Sequence, residues 1–221
     1  MRQPYTLILR FIVIGLLLLV ATYQLGEHLI NAIIPLYEWV IKQFDYRFDT
    51  IILTIITQHG EQFLLLQTTL SQSIIVGTEI IKPNFPILSA VTMPLGNVLL
   101  PVVLIFTTVL AWPITISRHA MHIYVIRILL AAPLCLFIML LDMPTQLLKM
   151  VWESFNKLLN LSISSDLPYF TYWSDFLNGG GLMALSIACG LLVVGLANLI
   201  SNKLGLVYSH KKNSPIRIPT S

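Results

Sequence analysis

Four long apolar runs constrain this chain more than any other feature. A helix needs roughly 20 mostly apolar residues to cross the hydrocarbon of a bilayer. The stretches Leu7–Leu25, Asn97–Ile116, His122–Leu141 and Gly180–Ile200 all come to that length. Charge agrees with this: 10% of the 221 residues are charged and 56% are hydrophobic, whereas a soluble domain carries about 25% charged residues. Too few charges remain to cover a water-facing surface, so most of the surface must face lipid. A formal charge of +3, with no long basic run, excludes a nucleic-acid partner held by electrostatics.

Charge placement sets the expected topology. Arg2 and Arg10 precede or enter the first apolar run, as in a signal peptide, but Val20-Ala21-Thr22-Tyr23 is a poor cleavage site. An uncleaved anchor is expected. With both termini cytoplasmic, the inner side holds Arg2, Arg10, Arg118, Arg127, Lys203, Lys211, Lys212 and Arg217 and no acidic residue. All ten acidic residues then lie outside. The positive-inside rule favours this arrangement. The expected fold is an α-helical polytopic membrane protein with four transmembrane helices, N-in and C-in, a small β-rich outer segment and an amphipathic interfacial helix. The segments divide as anchor 1–25, outer β-rich segment 26–95, second and third helices with a short cytoplasmic turn 96–141, outer amphipathic helix and aromatic loop 142–179, fourth helix 180–202 and basic tail 203–221.

In the first outer segment, HLINAIIPLYEWVIKQF continues the first helix to the membrane surface, with Tyr37 and Trp39 at headgroup level. DTIILTIITQ and QFLLLQTTLS flank HGE and read as a hairpin, to which SIIVGTEIIK adds a third strand. Lys82-Pro83-Asn84-Phe85-Pro86 leads back to the bilayer. Three strands make a thin core, so this cap must lean on the helices or on a partner. In the second, Pro144 suits a first helical turn. Leu148, Val151, Trp152, Phe155, Leu158 and Leu159 then share one face, as expected of a helix lying in the outer interface. The aromatic cluster YFTYW follows. Trp152, Phe155, Leu159, Tyr169, Tyr172 and Trp173 are the expected lipid or partner contacts.

Candidate chemistry is sparse. In SRHAMHIYVIR, His119 and His122 share a helical face, as two metal ligands would. The same side of the membrane offers no Cys, Asp or Glu to complete a tetrahedral site, so the stretch reads as a charged turn. Cys135 and Cys189 sit in apolar runs without an activating neighbour and read as packing residues. Ionisable residues are missing from the middle of the spans, which argues against transport. Ala184 with Ala188, and Ser186 with Gly190, give the last span two small-xxx-small pairs, for internal packing first and for a partner helix second. An enzyme acting on a lipid-linked substrate would need Glu27, His28, His59, Glu61 and Asp142, or several of them, in one pocket.

The order of segments resembles the small polytopic proteins that accompany exosortases, in particular the exosortase H-associated membrane proteins. Three stretches carry the resemblance: IKPNFPILSAVTMPLGNVLLPVVLIFTTVLAWP, LLDMPTQLLKMVW and FLNGGGLMALSIACG. It implies a bacterial inner-membrane protein beside an exosortase, the cysteine transpeptidase that processes C-terminal sorting signals. Catalysis would belong to that partner, and no catalytic residue, cofactor or metal is assigned to this chain. The expected function is a non-enzymatic accessory or scaffold subunit of a sorting or export system, in contact with membrane lipids and a membrane-protein partner. The alternatives are a structural subunit of a conjugation, secretion or respiratory complex, or the enzyme just described.

Overall fold

The computed structural model describes residues 4–76, 79–82, 91–113, 120–158 and 169–212. Five helices and five short strands follow in the order α1 (Pro4–Phe44), β1 (Phe48–Gln58), β2 (Glu61–Leu70), β3 (Ile74–Val76), β4 (Glu79–Ile81), β5 (Val91–Pro94), α2 (Leu95–Ala111), α3 (Ala120–Leu158), α4 (Tyr169–Phe176) and α5 (Leu182–Lys212). Among the described residues the chain is mainly helical, with one three-stranded sheet and one two-stranded ribbon. Helices α1 and α3, and the run from α4 through α5, are long and apolar enough to cross a membrane. Helix α2 is apolar but has 17 residues, about 25 Å of helix.

Two helices outrun any bilayer. With 41 and 39 residues, α1 and α3 are each about 60 Å long, against roughly 30 Å of hydrocarbon. Their second halves hold the sheet. On α1 the stripe Ile30, Ile34, Tyr37 and Ile41 turns inward, at the spacing of one helical face. On α3 the stripe is Met143, Leu147, Leu148, Val151, Trp152 and Phe155. Between them lie Leu53, Leu64, Leu66, Val91 and Met93, from one face of the sheet. Each such side chain contributes about 2 kcal/mol when fully buried.

The β1–β2 hairpin forms as expected, with Gln58 paired to Glu61. His59 and Gly60 both take positive φ, 52° and 83°, as a two-residue turn matched to strand twist requires. The third strand differs from expectation. SIIVGTEIIK makes a separate two-stranded ribbon, β3 with β4, and β5 completes the sheet in the order β1-β2-β5. Val91–Pro94 is short and runs straight into α2, so it lacks the length by which a strand is recognised. The amide of Leu53, on the free edge of β1, donates to Glu38 Oε1 of α1 at 2.9 Å, which satisfies an edge that would otherwise be open to pairing.

Four further expectations change. Pro144 does not begin a helix; it lies inside α3. Proline removes one backbone bond and crowds the carbonyl four residues back, and the Thr145 hydroxyl donates to the neighbouring carbonyls of Leu141 and Asp142, both at 2.9 Å. The expected amphipathic stretch is the second half of α3 rather than a helix of its own, and Trp152 and Phe155 are buried inside the chain rather than offered to lipid. Tyr37 is likewise fully buried instead of standing at headgroup level. Finally, α5 continues to Lys212, past the expected tail boundary.

At the other end the bundle closes on Arg127. Its side chain is fully buried. Nη1 donates to the carbonyls of Val109 and Trp112 at 3.2 and 2.9 Å, and Nη2 reaches Asn198 Oδ1 at 3.4 Å. The last carbonyls of a helix have no partner within it, so Arg127 closes α2 and ties it to α5. The expected topology anchor is thus also an interhelical bolt. Of the other anchors, Arg10 and Lys203 are exposed, Lys211 and Lys212 end α5, and Arg2 and Arg118 lie outside the described residues, as does His119.

Ser186 and Gly190 face inward, and a Cβ on Gly190 would stand 2.6 Å from Thr108 Cβ. A Cβ on Gly195 would meet nothing within 4 Å. Gly190→Ala should therefore cost about 2 kcal/mol by overpacking, while Gly195→Ala should be neutral or slightly stabilising, since glycine weakens a helix interior. Thermal unfolding of both variants in detergent micelles checks this; equal effects would contradict the α2–α5 contact.

Candidate functional site

The densest polar grouping stands where α1 turns into β1. Asp45 is 2% exposed, and a buried carboxylate must find hydrogen-bond donors. It has four. Arg47 supplies its backbone amide at 3.2 Å, Nε at 2.7 Å and Nη2 at 2.7 Å. Trp152 Nε1 comes from α3 at 3.1 Å. The two guanidinium bonds form a bidentate pair, the strong geometry for arginine and carboxylate.

Trp152 is sandwiched at this corner. The Arg47 guanidinium lies 4.3 Å from the centre of its ring, Phe48 packs against it edge-on at 6.4 Å, and Phe155 lies at 5.5 Å. The Arg47 carbonyl accepts from the amide and hydroxyl of Ser71 at 2.8 and 2.9 Å, which fixes the end of β2. One carboxylate therefore sets the meeting of α1, both hairpin strands and α3.

Beside the corner opens a cleft of about 1080 Å³ between the α1–β1 turn, α3 and α4. Phe44, Leu141, Tyr169, Phe170 and Trp173 supply most of its wall, with Arg47 and Thr145 among the polar members. Lys149 of α3 bonds Asp175 of α4 and also meets Glu153 at 3.5 Å, which holds α4 in place. The wall turns from α4 into α5 through a widened turn, Leu177–Gly181, in which Gly180 has φ 107°. A side chain is strained there, which accounts for a glycine at the bend.

No family model, no curated protein and no solved structure matches this chain. The reading of the site rests on its own geometry.

Among the expected contact residues, Tyr169 and Tyr172 are exposed and Trp173 is half-buried, while Leu159 lies outside the described residues. The five candidates for an outer-face enzyme do not converge. Glu61 and Gln62 line a second cleft of about 670 Å³, with Leu19, Tyr23 and Leu99, and Glu27 reaches it only by accepting a bond from Gln62 at 2.7 Å. His28 is exposed and His59 occupies the hairpin turn. Asp142 is buried elsewhere on α3, where Gln146 donates to it. Among the described residues no three His, Cys, Asp or Glu side chains are grouped to hold a metal.

Sequence reasoning missed Asp45 and Arg47. One faint signal was present: Trp152 on an otherwise aliphatic stripe needs a partner for its N–H once buried.

If Asp45 organises this corner, its removal must cost more than the loss of one donor. Asp45→Ala should destabilise by about 3 kcal/mol, the effect of orphaning a partly buried cation. Trp152→Phe, which keeps an aromatic ring but loses the N–H and part of the buried indole, should cost less, about 2 kcal/mol. Denaturation midpoints in detergent rank the two; equal losses would contradict the assignment.

Proposed function

We propose that this chain is a non-enzymatic accessory subunit of a membrane-embedded protein sorting or export machine, of the exosortase-linked kind that its sequence resembles. In this reading four helices cross a bacterial inner membrane with both termini cytoplasmic, α2 included, and the sheet stands on the outer side. The chain uses α1 and α3 as uprights to hold a rigid platform above the bilayer, where a partner handles its substrate.

The observation that carries the reading is the outward face of α5. Ser186 is buried and Gly190 is used against the chain's own α2, but Ala184, Ala188 and Gly195 are exposed. They recur at i, i+4 and i+11, on one helical face. Small residues let a second helix approach closely within lipid, and this stripe has no partner within the described chain. The apolar half of α1 adds to it, since no residue of its most hydrophobic window is fully buried by the rest of the protein. Support for a scaffold role also comes from the corner site, whose carboxylate is committed to four structural donors.

Extraction from native membranes in mild detergent, followed by identification of co-purifying proteins, tests the proposal. The expected result is a stoichiometric membrane-protein partner that Ala188→Leu displaces without lowering the thermal midpoint. A lone monomer, together with unchanged sorting-signal processing in a deletion strain, would overturn it.

A further inference from the structure

The outer end of the bundle carries a helix with its polarity reversed. On α4, Thr171 and Ser174 face inward and are buried, whereas Tyr169, Tyr172 and Phe176 are 92%, 65% and 52% exposed. A helix bathed in water presents the opposite arrangement. Aromatic side chains turned outward suit the zone between hydrocarbon and water.

Behind α4 lies the larger cleft. Its volume of about 1080 Å³ is of the order of a small-molecule pocket, and its wall is dominated by Phe44, Leu141, Tyr169, Phe170 and Trp173. Leu141 is the last residue of the apolar run His122–Leu141, so the cleft opens at the depth where hydrocarbon gives way to headgroups. One cation stands in the wall, beside the Asp45 carboxylate that also lines the cleft. Arg47 is about a third exposed, and a guanidinium has five N–H donors. Asp45 takes the donors on Nε and Nη2, which leaves the others free to meet an anion.

Apolar walls, a depth at the membrane boundary and a cation with spare donors describe one kind of occupant. We infer that the cleft binds a phospholipid of the outer leaflet, with an acyl chain along Phe44, Leu141 and Phe170 and the phosphate at Arg47. The site rests on the membrane placement under Proposed function but is independent of the protein partner. The bound lipid would fill the gap between α4 and the α1–β1 corner and make the outer platform responsive to the membrane around it.

The probe is palmitoyl-oleoyl phosphatidylglycerol, added to the delipidated full-length protein and followed by native mass spectrometry. One lipid per chain should bind tightly. Leu141→Trp, which fills the cleft, should abolish this binding, and Arg47→Gln should weaken it about tenfold, as loss of a charge-assisted bond implies. Tyr169→Ala, which leaves the Asp45 corner intact, should weaken it too. Should Leu141→Trp fail to fold, a phospholipid with a diazirine in its acyl chain serves on the wild type and should label the segments around Phe44, Leu141 and Phe170 above the rest of the chain. Equal lipid retention in all variants, labelling spread evenly over the spans, or displacement of the lipid by an apolar peptide would overturn the inference. Maleimide labelling of Lys157→Cys in intact cells, with a membrane-impermeant reagent, reads the sidedness separately. Labelled protein that binds no lipid sinks this inference alone, while unlabelled protein sinks the outer-face placement on which it rests.

Discussion

The carboxylate of Asp45 is the interaction on which the sheet-bearing half of this protein depends. Where α1 ends, the chain must change direction and hand over from helix to strand. Asp45 draws in the backbone and guanidinium of Arg47, and through Arg47 the end of β2. It then draws in α3 by the indole of Trp152. A carboxylate buried this deeply is tolerated only when its lone pairs are met. Supplying those donors obliges α3 to remain helical ten residues past Asp142. The sheet, too thin to form a core alone, gains one by lying against the two uprights this junction holds.

At the far end the same principle operates with the charge reversed. Arg127 is a buried cation whose neighbours are backbone carbonyls and an asparagine. The carbonyls ending α2 need donors, and Arg127 needs acceptors. Between these two polar clamps the bundle is joined by packing, with close approaches where Gly190 meets Thr108 and where Gly26 meets Leu99. Polar clamps thus mark both ends, and close helix contact does much of the joining between them, as expected where lipid supplies no hydrophobic drive.

Much of this was legible in the residues. The apolar runs located the helices, alternation around His59-Gly60 located the hairpin, and the stripe from Leu148 to Phe155 had the correct face. Its destination was misjudged. An amphipathic helix buries its apolar face against whatever is nearest, and periodicity alone does not distinguish lipid from a sheet contributed a hundred residues earlier. Pro144 misled for a related reason. It usually begins a helix, and here tertiary packing on both sides carries the helix through it. Strand β5 escaped notice because pairing with β2 defines it more than its own four residues do. Asp45 was hidden among ten acidic residues, since nothing local shows that a distant tryptophan will bond to it.

The account's central claim is that α3 continues unbroken past Pro144 to bring Trp152 onto Asp45. Spin labels at Leu129→Cys and Lys157→Cys, both on α3, test it by pulsed dipolar spectroscopy in nanodiscs. A continuous helix places them about 42 Å apart. A helix turned at Pro144 to lie along the membrane surface would bring them to about 30 Å, and a distribution centred there would contradict the account.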